Sequence, residues 1–234
     1  MTCVVSETAN VVRAVHAVPV AMVRDQISLL MESFPVTAVK TGMLFSAEHV
    51  AAVAEILRRF PKVPVVVDPV MVASTGASLL EAGAVTAYRE LLLPLARVLT
   101  PNLPEAEVLL DRRINGEAAL DGAARELAKM FGTAVFLKGG HLEGAECVDV
   151  LVDAGELKRF TARRIAVAGS HGTGCTLSAA VAALMAQGQP LSRAAEAAKT
   201  YLGKALHESY EFQSSGGNVV HALNQGTTFK KNGA

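Results

Sequence analysis

A cysteine stands where a glycine-containing loop meets an apolar, alanine-rich segment. Residues 172–175 read Gly-Thr-Gly-Cys, and the helical pattern 176–188 follows at once. The first turn of a helix has N–H groups without an intrahelical acceptor and a partial positive charge, which favour an anion and also a thiolate. The stretch therefore predicts an anion-binding helix start that lowers the pKa of the Cys175 thiol. The alternatives are a glycine-rich helix entry that serves packing and a cysteine that is a small buried apolar residue.

Polar side chains follow two of the predicted strands. Asp68 comes directly after the apolar run Val63–Val67, where a carboxylate can hold a metal ion or cap a turn. Asn102 and Glu105 follow the next run. Asn102 can cap a helix with Pro104 in its first turn, or Asn102 and Glu105 can support Mg²⁺ and phosphate. Ligands bind at the carboxyl ends of the strands in open α/β sheets, so we expect these side chains near one site.

A lysine ends a further apolar run. Lys138 closes the segment Ala134–Lys138 and is followed by Gly139 and Gly140. A lysine at the end of a buried strand is unfavourable unless its charge is used, and glycines behind it let a ligand approach the backbone. This pattern favours a phosphate-binding lysine that acts as a point charge over a solvated surface lysine.

Short β-branched runs alternate with longer segments of helical periodicity. The predicted buried strands are Val36–Lys40, Val63–Val67, Ala96–Thr100 and Ala134–Lys138, and the predicted helices span 20–34, 46–60, 116–131, 176–188 and 192–212. Ser46 is expected to cap the second helix. Residues 147–166 predict two antiparallel strands around a turn at 153–155, and residues 1–8 predict a strand that enters a loop. The whole pattern predicts an α/β fold with a mostly parallel sheet, helices on both faces and an antiparallel edge.

Composition excludes several classes of partner. The 234 residues carry 22 basic and 22 acidic side chains without a Lys/Arg-rich run, so neither nucleic acid nor a membrane surface is an expected partner. The three cysteines lack metal-ligand spacing and predict a reduced, cytoplasmic protein. Walker, dinucleotide-binding, HExxH and nucleophile-elbow patterns do not occur. We expect one domain over 1–213 and a loosely ordered, Gly/Asn/Ser/Gln-rich tail over 214–234.

The motifs taken together resemble the hydroxymethylpyrimidine/phosphomethylpyrimidine kinases of thiamine biosynthesis, in the ribokinase-like superfamily. The resembling segments are KTGML (40–44), VVVDPVMVASTG (65–76), LLPLARVLTPNLPEAEVLL (92–110), VFLKGGHLEG (135–144) and HGTGCTLSAAVAAL (171–184). A cysteine at position 175 is characteristic of the pyrimidine kinases, whereas most of the superfamily has an aspartate base there. The resemblance implies a ribokinase-like three-layer sandwich.

The resemblance also implies a reaction and a set of roles. ATP, with Mg²⁺, would phosphorylate 4-amino-5-hydroxymethyl-2-methylpyrimidine and then its monophosphate, in a homodimeric enzyme. Cys175 would be the base or would orient the hydroxyl group, beside an anion hole formed by Gly172, Thr173 and Gly174. Lys138, Asn102, Thr100 and Asp68 would contact the nucleotide phosphates, and Glu105 and Asp68 would serve Mg²⁺. Val5, Glu7, Met43, Val70 and His171 would line the pyrimidine pocket.

The chain departs from the family's usual pattern at three places. The family commonly begins with a strand and a Gly-rich loop that are not found ahead of Val5, which predicts that Met1 is an internal methionine. Glu7 occupies a position where the family commonly has Gln, and an ionised carboxylate accepts hydrogen bonds but cannot donate them. Gly169 and Ser170 replace the usual Asn-Thr.

Three alternatives stay open on the sequence. The first is a pyridoxal kinase of the same superfamily, because some relatives accept both kinds of ring. The second is a non-catalytic remnant that binds a pyrimidine or nucleotide, which the N-terminal departure favours. The third is a thiol hydrolase that uses Cys175 with His171, for which the sequence offers no orienting third group.

Overall fold

A six-stranded sheet forms the centre of the molecule. The computed structural model describes residues 1–8, 11–71, 80–81, 83–167, 172–213, 216–217 and 219–226. The strands are β1 (Cys3–Thr8), β2 (Val11–Ala17), β3 (Val39–Thr41), β4 (Val65–Val67), β5 (Val98–Leu99), β6 (Ala134–Lys138), β7 (Glu146–Asp153), β8 (Glu156–Arg163), β9 (Tyr210–Gln213) and β10 (Val219–Ala222). The sheet order is β3-β4-β5-β6-β7-β8, parallel from β3 to β6 and antiparallel from β6 to β8. The predicted sheet with its antiparallel edge is confirmed.

Helices cover both faces of this sheet. They are α1 (Val20–Ser33), α2 (Ala47–Leu57), α3 (Ala84–Ala87), α4 (Leu103–Leu110), α5 (Leu120–Phe131), α6 (Thr173–Ala186) and α7 (Leu191–His207). A π turn at Tyr88–Leu92 and a 3₁₀ turn at Leu93–Leu95 extend α3, and a 3₁₀ turn at Glu117–Ala119 precedes α5. Ser46 caps α2 as predicted, because its Oγ accepts a hydrogen bond from the His49 N–H at 3.3 Å.

Alternation along the strands divides the core in two. Val65 and Val67 of β4 pack on the side of α1, α2, α4 and α5, whereas Val66 packs on the side of α6 and α7. All three are at most 4% exposed. Successive side chains of a strand point to opposite faces, so a run of valines that is buried on both faces is typical of a parallel strand between two helical layers.

The ends of the chain differ from the sequence prediction. Cys3–Thr8 within the predicted segment 1–8 does form a strand, but β1 pairs with the unpredicted β2 in a separate two-stranded sheet. The predicted helix 192–212 is wrong at its end, because α7 stops at His207 and Tyr210–Gln213 pairs with β10. Tyr and Phe favour strands when a partner strand is present. That partner, β10, lies within the segment 214–234, for which we expected a loosely ordered tail.

A membrane span is not found in the part of the chain that the structure describes: none of its helices is both long enough and apolar enough to cross a bilayer.

Candidate active site

The parallel strands each end in a polar side chain on the same face of the sheet. Val66, Val98 and Phe136 lie in the core beneath α6 and α7. The side chain two positions later along a strand faces the same way, which places Asp68, Thr100 and Lys138 at the carboxyl ends of β4, β5 and β6. These three residues are at most 8% exposed. The structure therefore brings Asp68, Thr100 and Lys138 together at this edge of the sheet.

A buried ion pair joins two of these residues. Lys138 Nζ lies 2.9 Å from Asp68 Oδ1. Burial alone would lower the pKa of Lys138, but the carboxylates of Asp68 and Glu105 raise it above its ordinary value. Burial alone would raise the pKa of Asp68, and the ammonium groups of Lys138 and Lys40 outweigh that effect and lower it. Both groups are therefore charged at neutral pH.

Two hydroxyl groups hold the Asp68 carboxylate in place. Ser178, which is fully buried, donates a hydrogen bond to Asp68 Oδ2 at 3.0 Å. Thr100 Oγ1 donates to Asp68 Oδ1 at 3.4 Å. Because Ser178 lies on α6, its hydrogen bond fixes that helix to the end of β4. The sequence reasoning missed Ser178, although a serine on the apolar side of a helix was a signal that it needed a partner.

The first turn of α6 lies directly beside Lys138. Gly172 precedes the helix with φ of 77°, in the left-handed region that glycine adopts without strain. A Cβ added to Gly174 would lie 3.0 Å from Lys138 Nζ, so glycine leaves the room that the ammonium group occupies. The N–H groups of the first turn, Thr173 among them, have no acceptor within the helix. They and Lys138 form a positively polarised surface that suits phosphate oxygens.

Cys175 is exposed, so it is not the buried apolar residue of the alternative interpretation. Partial desolvation by the surrounding protein and the Asp68 carboxylate raise the pKa of the thiol, and Lys40 and Lys138 act against them. The predicted lowering of the pKa of Cys175 is therefore wrong. The reasons are the desolvation of the thiol by the surrounding protein and, second, the Asp68 carboxylate at the end of β4, which disfavours another negative charge nearby.

Lys40 is a second cation that the sequence reasoning did not single out. It pairs in register with Val66 and so lies on the α6 face of β3. Its Nζ is 3.5 Å from Asp68 Oδ2, and its side chain is 22% exposed. The carboxylate of Asp68 thus lies between two ammonium groups, one from each side of β4.

Asn102 and Glu105 form a reciprocal cap at the start of α4. Asn102 Oδ1 accepts from the Glu105 N–H at 2.9 Å, and Glu105 Oε2 accepts from the Asn102 N–H at 2.8 Å. The helix-capping interpretation of Asn102 is therefore confirmed, and Glu105 completes the cap from its side, which the sequence interpretation did not include. Burial raises the pKa of Glu105 to about 7, with Lys138 opposing the rise and Asp68 adding to it. Asn102 also bridges to Lys138 through the backbone.

The carboxylates of Asp68 and Glu105 allow a test of the implied Mg²⁺. Both are buried and both act electrostatically on Lys138. Within the described residues, no three His, Cys, Asp or Glu side chains gather as a metal-binding group. Mg²⁺ bound with a nucleotide needs only one or two carboxylates, since phosphate oxygens and water supply the other ligands. The donor set fits an ion of that kind.

The residues assigned by resemblance to the pyrimidine pocket come from several parts of the chain. Met43 follows β3, and its carbonyl oxygen accepts a hydrogen bond from Thr2 Oγ1 at 2.8 Å. Val70 follows Asp68 by two residues and is partly buried. Val5 and Glu7 lie on β1, the first partly buried and the second exposed. His171 lies outside the described residues.

A cavity of about 520 Å³ lies elsewhere, at the amino ends of β5 and β6. Its lining includes Arg97, Arg125 and Lys129, and none of the residues predicted for the site. Arg97 is paired with Asp153, with Nη2 and Oδ2 2.8 Å apart. The convergent polar groups, and not this cavity, therefore mark the candidate active site.

The sheet, its helical layers and the site at the strand ends define the chain as an α/β phosphotransferase of the ribokinase-like class. Solved structures agree. A phosphomethylpyrimidine kinase from Clostridium difficile is 32% identical, with a TM-score of 0.77 over 88% of this chain and 84% of that one. A Staphylococcus aureus pyridoxal kinase in complex with AMP-PCP and pyridoxal is 27% identical, with a TM-score of 0.85 over 97% of this chain and 81% of that one.

Sequence comparison gives the particular family. A family model described as phosphomethylpyrimidine kinase matches residues 1–220, and the chain belongs to that family of kinases. A hydroxymethylpyrimidine/phosphomethylpyrimidine kinase from Rhizobium meliloti is 45% identical over 88% of this chain and 77% of its own length. A thiamine biosynthesis bifunctional protein from Geobacter sulfurreducens is 43% identical over 95% of this chain, which spans 46% of that relative.

Proposed function

We propose that this chain transfers the γ-phosphoryl group of ATP to 4-amino-5-hydroxymethyl-2-methylpyrimidine and then to the resulting monophosphate. The observation that carries this proposal is the Lys138–Asp68 ion pair, which lies against the first turn of α6 next to an exposed Cys175. The family membership and the relatives named as hydroxymethylpyrimidine/phosphomethylpyrimidine kinases support the choice of substrate.

Phosphoryl transfer depends mainly on positioning and on stabilising charge at the transferred group. We assign the contacts to the nucleotide phosphates to Lys138, together with Thr100 and Asn102 at the adjoining strand ends. The N–H groups of residues 172–174 are assigned to the transferred phosphoryl oxygens. The Ser178 hydrogen bond supports this arrangement, because it holds the helix start against the residues of the sheet.

We assign to Cys175 the orientation of the acceptor hydroxyl group. The pKa of its thiol is raised, so the thiol is neutral at pH 7 and cannot take up the hydroxyl proton. A neutral thiol can still form a weak hydrogen bond that points the acceptor oxygen at the phosphorus atom. That oxygen then forms the new P–O bond while the bond to the leaving ADP oxygen breaks, and the hydroxyl proton passes to an oxygen of the transferred phosphoryl group.

We assign Mg²⁺ to Asp68 and Glu105, directly or through water. When bound, the ion supplies charge neutralisation on the phosphate oxygens. Glu105 can serve it in the ionised form while its backbone partner Asn102 keeps α4 capped. We assign the acceptor ring to Val5, Glu7, Met43, Val70 and His171.

The test is ADP release by the purified chain with the pyrimidine, its monophosphate and pyridoxal offered separately. We expect turnover on both pyrimidines. Lys138→Met should lower this turnover by at least about 100-fold, because it removes the buried charge that we assign to the phosphates. Lys62→Met is the matched control, because Lys62 is exposed and lies before the amino end of β4. Folded protein without turnover on any acceptor would overturn the proposal.

A pyridoxal kinase is the second candidate. The observation that favours it is the structural similarity to the S. aureus enzyme, whose TM-score of 0.85 exceeds the 0.77 of the C. difficile kinase. Values of kcat/KM on pyridoxal and on hydroxymethylpyrimidine separate the two functions. The non-catalytic alternative predicts nucleotide binding without ADP release in the same assay.

We also propose that the protein acts as a homodimer in the cytoplasm. The family resemblance supports the dimer, and the sparse, unpatterned cysteines support the reducing compartment. Light scattering coupled to gel filtration tests the dimer, for which the expected mass is twice 24.5 kDa.

A further inference from the structure

We propose that Lys40 binds the phosphate group of the phosphorylated pyrimidine, which makes it a specificity residue for the second phosphoryl transfer. This inference rests on the proposed function and adds a subsite to it. The site then contains one cation for the nucleotide phosphates, Lys138, and a separate cation for the acceptor phosphate.

The two lysines approach the same carboxylate from opposite sides. Lys138 Nζ contacts Asp68 Oδ1 at 2.9 Å, whereas Lys40 Nζ lies 3.5 Å from the other oxygen, Oδ2. The sheet order places β3 next to β4 on one side and β6 two strands away on the other. Asp68 therefore separates the two ammonium groups and keeps both on the α6 face of the sheet.

Lys40 lies on the side that we assign to the acceptor. The chain continues from Lys40 through Gly42 to Met43, which contacts the start of β1: Met43 Sδ is 3.7 Å from Cys3 Sγ. Val5 of the proposed ring pocket belongs to the same strand. Lys138, in contrast, lies beside Gly174 of α6 and bridges to Asn102, on the side assigned to the nucleotide.

The ammonium group of Lys40 has capacity for a ligand. Asp68 already receives Lys138, Ser178 and Thr100, so the carboxylate does not depend on Lys40 for its hydrogen bonds. The Lys40 side chain is 22% exposed, about twice the 10% of Lys138. A Cβ on Gly42 would lie 3.0 Å from Lys40 Nζ, so the glycine leaves space at that position.

The chemistry of the second transfer calls for such a cation. A phosphate monoester carries about −1.5 to −2 charges at neutral pH, so the monophosphate brings a second anion next to the nucleotide. Desolvation and Asp68 raise the pKa of the Cys175 thiol while Lys40 and Lys138 act against them, so both ammonium groups are within electrostatic reach of Cys175. Lys40 can offset the repulsion between the two phosphates as a point charge.

The experiment compares kcat/KM on the unphosphorylated pyrimidine and on its monophosphate at saturating ATP. For Lys40→Met, we expect the loss on the monophosphate to exceed the loss on the unphosphorylated pyrimidine by roughly 10- to 100-fold, the range of one charge-assisted hydrogen bond. Lys40→Arg keeps the charge and should recover most of the difference. Lys62→Met should leave the ratio of the two values unchanged.

Turnover on the unphosphorylated pyrimidine also shows that each variant is folded. Equal losses on both acceptors would overturn the role of Lys40 and leave the proposed function standing. Failure of the wild-type chain on both acceptors would instead reject the proposed function. In that case, calorimetry with the wild-type chain and with Lys40→Met still tests the role of Lys40. The substitution must lower the affinity for the monophosphate and leave the affinity for the unphosphorylated pyrimidine unchanged.

Discussion

At the scale of single residues, the site depends on one carboxylate that serves several partners. Asp68 is 1% exposed and accepts hydrogen bonds from Lys138, Ser178 and Thr100. A buried carboxylate without such partners would be strongly unfavourable. Desolvation by the surrounding protein and, after it, the charge of Asp68 raise the pKa of the Cys175 thiol. The thiol therefore stays neutral because of its packing together with a neighbouring carboxylate in the sheet.

The orienting role of Cys175 predicts a change in turnover without a change in nucleotide binding. Cys175→Ala should lower kcat by about 100-fold, because the acceptor oxygen loses its orientation. The affinity for ATP, measured by calorimetry, should change by less than about twofold, because the first-turn N–H groups come from the backbone. Cys175→Ser retains a hydrogen-bonding group and should restore part of kcat. An unaltered kcat in the alanine variant would contradict the orienting role of Cys175.

Glu105 predicts a pH dependence of stability. Its pKa is raised from 4.5 to about 7, so the folded protein holds this proton at pH values where the unfolded chain has lost it. Its stabilising contribution is complete below pH 4.5 and is lost as the pH rises through 7. Relative to Glu105→Gln, the wild-type free energy of unfolding should fall by about 1 to 3 kcal/mol between pH 5 and 8.

Urea unfolding in the presence of EDTA measures this difference without interference from metal ions. The glutamine variant is the matched reference, since its side-chain oxygen can still accept the Asn102 N–H bond. A difference between the two proteins that stays constant over this pH range would contradict the raised pKa.

At the scale of elements, the turn after β6 positions Lys138 through close packing of backbone. The Gly139 N–H donates to Asp149 Oδ1 at 2.9 Å. A Cβ on Gly139 would lie 2.0 Å from the Val148 carbonyl oxygen, a separation that no side chain tolerates. The glycine is therefore required by the approach of β7 and not by a special backbone angle.

This contact distinguishes two adjacent glycines. Gly139→Ala should lower the free energy of unfolding by at least about 2 kcal/mol and reduce turnover, because the turn and Lys138 must move. Gly140→Ala is the control, because a Cβ there meets nothing within 4 Å and its φ is not positive. Thermal unfolding and ADP release of both variants test this. Equal melting temperatures would show that β7 yields to the added methyl group.

Local patterns predicted some elements and could not predict others. Val63–Val67 and Ala134–Lys138 indicated strands because they are apolar on both faces, and Asn102 followed by Pro104 indicated the start of α4. β2 was not predicted because most of its side chains are exposed. The end of α7 was predicted wrongly because the strand Tyr210–Gln213, which follows the helix, needs β10 as a partner. The roles of Lys40 and Ser178 depend on their contacts with Asp68, and spacing along the chain does not reveal those contacts.

At the scale of the whole molecule, ion pairs join the helical layer of α6 and α7 to the sheet. Lys199 of α7 donates to Asp149 Oδ2 at 2.8 Å and to the Cys147 carbonyl oxygen at 2.9 Å. Asp149 in turn holds Gly139 next to the site. The layer that carries the first turn of α6 is therefore connected to Lys138 by two routes, Ser178–Asp68 and Lys199–Asp149.

The second route predicts a stability effect that depends on burial. Lys199→Met leaves the Asp149 carboxylate, whose side chain is 10% exposed, without its ammonium partner and should cost about 3 kcal/mol of stability. Lys204→Met on the same helix removes only an exposed pair with Glu208 and should change stability by less than about 0.5 kcal/mol. Denaturant unfolding of both variants gives the comparison, and equal effects would contradict it.

The hydrogen bond from Ser178 to Asp68 spans 110 positions of the chain, and the ion pair from Lys138 spans 70. During synthesis from the amino end, Asp68 at the end of β4 is made before both of its partners, Lys138 and Ser178. In a nascent chain that ends before α6, we expect the Asp68 carboxylate to stay hydrated. The face of β4 and β5 that α6 and α7 cover in the folded protein then stays exposed to water. We therefore expect burial of the core on that face and assembly of the phosphate-binding groups to occur together, late in folding.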